Sequence, residues 1–105
     1  MTDLSRNFHQ VLVVLTVPGE LEEAIVDWLL EHGPGGFTTC PVRGHGADAA
    51  RLTLAEQVSG RQRRLQFQVQ IDGEACSSFL SGLRASLPGA DIHYWVLPVL
   101  GGGSL

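Results

Sequence analysis

The chain has 105 residues, room for one domain with one modest core. Apolar residues make up 44% and charged residues 17%, a balance that folds rather than stays disordered. Basic residues number 7 against 11 acidic ones, a net charge of −4, which argues against the basic surplus of a general nucleic-acid binder.

All seven basic residues are arginines (Arg6, Arg43, Arg51, Arg61, Arg63, Arg64, Arg84). With no lysine, Schiff-base chemistry and a Walker-type phosphate loop are excluded. Cys40 and Cys76 form no Cys-x-x-Cys pair and no disulfide framework. No stretch reaches the roughly 18–20 apolar residues of a spanning helix, so direct membrane insertion is not expected. Met1 to Arg6 lacks the basic head and apolar core of a signal peptide, which makes the cytoplasm the expected compartment.

The elements follow in chain order. Val11 to Val17 is a short β-branched run stopped by Pro18-Gly19, and it predicts a strand buried on both faces. Glu20 to His32 predicts a helix, with Leu21, Ile25, Trp28 and Leu29 on one face, an acidic first turn and Gly33 at its C-terminal end. Phe37 to Val42 predicts a second strand, with Pro41 near its end or at a sheet edge. The segment from Arg43 to Arg63 is the least regular; Thr53-Leu54-Ala55-Glu56 matches a capping box, so a helical turn or two is expected up to Val58 within a mobile loop. Leu65, Phe67, Val69 and Ile71 alternate with Gln66, Gln68 and Gln70, the cleanest period-two pattern in the chain. Asp72 is expected to cap a second helix with the apolar stripe Cys76, Phe79, Leu80, Leu83 and Leu87, ended by Pro88-Gly89. Ile92 to Leu97 predicts a fourth strand, and Gly101-Gly102-Gly103 a loose tail.

The order is therefore βαββαβ, an α+β ferredoxin-like sandwich: a four-stranded antiparallel sheet with two helices on one face and a long loop between strands two and three. It is read as a single domain over residues 1–105, with its core at about 10–99, a flexible loop at about 44–62 and a disordered tail at about 100–105. Two helices cover one face of such a sheet. The other face must then carry Val, Leu and aromatic side chains beside the glutamine row, and a bare patch of that kind points to self-association.

Gly36-Phe37-Thr38-Thr39-Cys40-Pro41-Val42-Arg43-Gly44-His45-Gly46 resembles the PII signalling proteins, whose strand Gly-x-Thr-x-x-x-Val-x-Gly-x-Gly opens the long T-loop. The resemblance runs from about Val11 to Val99. Leu54 to Arg64 and the ending His93-Tyr94-Trp95-Val96-Leu97-Pro98-Val99 are similar to a PII-like branch encoded beside heavy-metal efflux pumps. The resemblance implies a homotrimer with its sheets facing inward, and a regulator rather than an enzyme. It implies effectors such as adenine nucleotides in clefts between subunits, and a T-loop that docks on a partner, a membrane transporter above all. Carried onto this chain, the loop residues for effector or partner are Gly44, His45, Gly46, Glu56, Gln57, Arg61, Arg63 and Arg64; the cleft residues are Gly36, Thr38, Pro88 and Gly89. The phosphate-gripping lysines of PII have no counterpart here, and the glycine-rich loop before the last strand is cut to Leu87-Pro88-Gly89-Ala90-Asp91. Tyr94 falls in a strand, so the family's loop tyrosine modification has no counterpart either. Arginines can replace lysines there, because guanidinium suits bidentate oxyanion contacts. The effector itself stays open between an adenine nucleotide and a divalent metal.

Two other readings compete. Cys40, His45 and Asp48 place three metal-ligating side chains within nine positions, which suggests a metal-binding protein for heavy-metal tolerance, although the spacing matches no zinc motif. His9, His32 and His93 are read as surface or strand histidines, and Trp28, Phe67, Phe79 and Trp95 as core or interface residues. Acylphosphatases share the βαββαβ order, but Val17-Pro18-Gly19-Glu20 puts a carboxylate where their arginine-bearing phosphate loop would stand.

Overall fold

The computed structural model of the chain describes residues 4–45 and 61–105. Its elements are β1 (Gln10–Pro18), α1 (Glu22–His32), β2 (Thr38–His45), β3 (Arg61–Asp72), α2 (Cys76–Ser86) and β4 (His93–Pro98). Short 3-10 turns at Ser5–Asn7, Gly19–Leu21 and Gly73–Ala75 precede β1, α1 and α2. The strands form one antiparallel sheet in the order β2-β3-β1-β4. This is the expected split βαβ arrangement. Among the described residues, no helix is long and apolar enough to cross a membrane.

The core lies between the helices and one face of the sheet. Directly opposed residues of antiparallel strands share a face, so the register sorts every side chain. Val11, Val13, Leu15 and Val17 of β1 are fully buried and sit opposite Ile71, Val69, Phe67 and Leu65 of β3. Ile25 and Leu29 of α1, with Cys76, Phe79 and Leu83 of α2, close this layer. The helical period of 3.6 brings those positions to one side of each helix.

One helix terminus differs from the sequence expectation. Asp72 does not cap α2: the turn Gly73–Ala75 intervenes, and the Asp72 carboxylate instead accepts a hydrogen bond from Nε2 of Gln10 across the β1–β3 pair. Gly33 closes α1 with φ −88°, outside the left-handed region. Its need for glycine is steric, since a Cβ there would stand 2.6 Å from the Leu29 carbonyl oxygen that accepts its N–H.

The β2–β3 ladder runs farther than expected. Pairing extends through Val42↔Arg64, Arg43↔Arg63, Gly44↔Gln62 and His45↔Arg61. This ribbon leaves the hydrophobic layer behind, so its residues carry no alternation of apolar and polar side chains that would mark a strand. Pro41 lies within β2, an edge strand, where a missing N–H is tolerated. The capping box Thr53–Glu56 and the helical turn to Val58 lie outside the described residues, as do Gly46, Asp48, Glu56 and Gln57.

Candidate functional site

The sheet face opposite the helices is the first candidate. Its rows read Gln70–Leu12–Leu97, then Thr38–Gln68–Val14–Trp95, then Cys40–Gln66–Thr16–His93. Each row is polar on β3, and the first two are apolar on β1 and β4. Trp95 is 69% exposed and Leu97 47%. An indole with two-thirds of its surface in water is costly to leave bare, at roughly 25 cal/mol per Å² of apolar area. The sequence expectation of valine, leucine and aromatic side chains beside a glutamine row is met.

The base of the β2–β3 ribbon is the second candidate. Arg63 and Arg43 are exposed and directly opposed on the helix-side face. Like charges directly opposed repel, so the ribbon concentrates positive charge on a chain of net charge −4. Arg64 points the other way and is committed elsewhere. Its Nη2 meets Asp91 Oδ2 at 2.6 Å and its Nη1 donates to the Asp91 carbonyl at 3.2 Å, with the Arg64 side chain 7% exposed. His93 Nε2 lies 3.4 Å from the other Asp91 oxygen. Of the expected arginine grip, Arg64 is therefore a tether between the ribbon base and the loop before β4.

The expected cleft residues fall on opposite edges of the sheet. Thr38 opens β2, with Gly36 just before it, while Pro88 and Gly89 form the turn after α2 that leads to β4. Gly89 has φ +76°, a conformation glycine adopts freely, and the Ala90 N–H closes the turn on the Leu87 carbonyl at 3.2 Å. Strands β3 and β1 separate β2 from β4, a span of about 14 Å at the usual strand spacing.

Of the candidate metal ligands, Cys40 and His45 lie on opposite faces of β2. Cys40 shares a row with Gln66 on the open face, whereas His45, five residues on, has the opposite parity. Asp48 lies outside the described residues. Among the described residues no three His, Cys, Asp or Glu side chains group as metal ligands.

A third feature had no sequence counterpart. An open cleft of about 620 Å³ lies where the end of β3 meets the C-terminal end of α1 and the N-terminal half of α2. Trp28 stands in its wall, held on four sides. Its Nε1–H donates to Ser86 Oγ at 2.8 Å, it stacks on His32 at 5.1 Å, it meets the edge of Phe79 at 5.4 Å, and it packs against the bare Cα of Gly82. A glycine inside a helix opposite a tryptophan was the available signal, because mid-helix glycine costs about 1 kcal/mol unless a close approach requires it.

The model of the family described as "Protein of unknown function (DUF3240)" matches residues 8–105. The chain belongs to the DUF3240 family. No curated protein matches its sequence. This DUF3240 chain is similar over 100% of its length to a DUF3240 family protein from Shewanella baltica, covering 99% of that chain at 20% identity and a TM-score of 0.75. It is also similar to the PII protein of Arabidopsis thaliana bound to citrate, with 18% identity, 88% of this chain, 78% of that one and a TM-score of 0.66. CutA from Synechococcus elongatus, complexed with Bis-Tris, gives 17% identity, 89% and 82% coverage and a TM-score of 0.65. At these identities the likeness is one of fold. The DUF3240 domain thus has the ferredoxin-like architecture shared by PII and CutA.

Proposed function

We propose that the protein is a PII-type regulator rather than an enzyme. Three copies assemble through the open sheet face, an effector occupies the cleft between copies, and the segment between β2 and β3 passes the signal to a partner. The observation that carries this reading is the face opposite the helices, where Trp95 and Leu97 stand exposed in the rows of Gln68 and Gln70. Exposed apolar side chains of this kind favour association, and the amides beside them can hydrogen-bond across a subunit boundary.

The placement of the cleft residues supports the same reading. Gly36 and Thr38 stand on one edge of the sheet and Pro88 and Gly89 on the other, so in this reading they would share a cleft only across two copies. The Arg43–Arg63 row adds positive charge at the ribbon base, suited to an anionic effector such as an adenine nucleotide. Binding that reorders a segment is an established switching route, and a membrane transporter is the partner class this reading favours. The turn after β1 supports a non-catalytic role, since Glu20 is exposed where a phosphate-binding hydrolase would need a cation.

Native mass spectrometry of the purified protein tests this reading. The expected spectrum shows three chains, with a small-molecule adduct that is lost on denaturation. Trp95→Glu is expected to give single chains that keep their secondary structure by circular dichroism. A wild-type spectrum of single chains at micromolar concentration overturns the reading.

A further inference from the structure

The cleft beside Trp28 opens onto a bare length of sheet edge. Gly73 N–H donates to the His9 carbonyl at 3.0 Å, which makes His9 and Gly73 a hydrogen-bonded pair at the end of the β1–β3 ladder. Such pairs alternate along antiparallel strands. The odd-numbered residues of β3 therefore turn their main-chain groups to β1, and the even-numbered ones turn theirs to β2. Yet β2 begins only at Thr38, opposite Gln68, while β3 runs on to Asp72. The N–H and C=O of Gln70 and the N–H of Asp72 are left without a main-chain partner among the described residues. The chain before β2 does not take them up: Gly33 N–H is given to the Leu29 carbonyl at 2.8 Å, and Pro34 has no N–H. Both residues line the cleft. The two faces of this edge differ. Ile71 points to the helix side, where it lines the cleft with Phe79 and Trp28. Gln70 and Asp72 point to the other face and are exposed; Gln70 Nε2 donates to Gln10 Oε1 at 3.3 Å, and Gln10 Nε2 donates to one Asp72 oxygen.

Unpaired main-chain groups beside an apolar hollow are the arrangement that captures an added strand. We infer that this notch is a docking site for a short extended segment of a partner protein, which joins the sheet beside β3 along the line of β2. The segment then runs antiparallel to β3, and three consecutive residues of it oppose Asp72, Ile71 and Gln70 in chain order. The third exchanges both hydrogen bonds with Gln70, and the first accepts one from the Asp72 N–H. Their side chains lie on the open face, and the second residue sends its side chain to the helix side, against Ile71, Phe79 and Trp28. The first side chain meets the exposed Asp72 carboxylate and the third meets the Gln70 amide, so the order that fits is basic, large apolar, polar. No arginine of the described residues lines the cleft to oppose that basic residue. The segment after β4, Val99 to Leu105, has no basic residue, so the tail of a second copy lacks this pairing. The site needs one chain only and does not rest on the regulatory reading above.

The probe is the peptide acetyl-Ser-Arg-Phe-Thr-Ser-amide, titrated by calorimetry into the wild-type protein and followed by Trp28 fluorescence in a Trp95→Phe background. Saturable binding below about 1 mM is expected. Methylating the threonine nitrogen removes the N–H offered to the Gln70 carbonyl and is expected to weaken binding at least about tenfold, as is alanine in place of the phenylalanine. Citrulline in place of the arginine is expected to weaken binding to the wild type and to make no difference to Asp72→Asn. No saturation by about 10 mM peptide overturns the inference. So does equal binding of the peptide methylated at threonine, which shows an apolar hollow without strand pairing. Binding seen only as copies of the protein come apart, read by native mass spectrometry, assigns the notch to a second copy and overturns it as well. All three overturning outcomes are read on the wild-type protein.

Discussion

Asp91 is held by Arg64 through two contacts and is flanked by His93, so one short loop residue ties the start of β4 to the base of the β2–β3 ribbon. Taking away one partner leaves a largely buried guanidinium without its carboxylate, which costs more than the intact pair is worth. Asp91→Ala is therefore expected to lower unfolding stability by about 2–3 kcal/mol, read by urea denaturation. A loss under about 0.5 kcal/mol would show a merely solvated pair. At this scale the sequence is least legible. Arg64 and Asp91 are 27 positions apart, and nothing local distinguishes Arg64 from Arg61 or Arg63 except parity, which places it on the other face. Asp72 misleads for a related reason: an aspartate before a helix reads as a cap, but the register brings Gln10 opposite it. Gly73 is likewise silent in the sequence, though a Cβ there would collide with the carbonyl oxygens of Ser5 and Phe8, where the N-terminal turn docks.

The elements themselves were legible where they touch the core. Leu65, Phe67, Val69 and Ile71 face the helices and the intervening glutamines face away, so β3 declares its period directly. The ribbon beyond the helices could not be read, because residues with nothing to bury carry no period. Between the helices the decisive contact is small. A Cβ at Gly82 would lie 3.2 Å from Cζ2 of Trp28, tight enough that the indole or α2 must give. Gly82→Val is expected to break the Trp28–Ser86 hydrogen bond, alter Trp28 fluorescence and lower stability by about 1–3 kcal/mol. Gly82→Ala sets helix propensity, a gain of about 1 kcal/mol, against the same contact and separates the two effects. An unchanged indole emission in Gly82→Val would show that the seam has slack.

For the whole molecule, the mismatch between two helices and a two-faced sheet governs behaviour. The helix side has a closed core and the other side has Trp95 and Leu97 in water. If copies join through that side, the folded state is stabilised by mass action, so the thermal midpoint is expected to rise with protein concentration across a hundredfold dilution series. Trp95→Glu should abolish that dependence. A midpoint independent of concentration in the wild type would assign the face another role. The margins of the sheet add a further constraint. Pro41 sits in one outermost strand and Pro98 ends the other, and a proline nitrogen has no hydrogen to offer a passing backbone. The blade is thereby hindered from pairing edge to edge into an endless sheet.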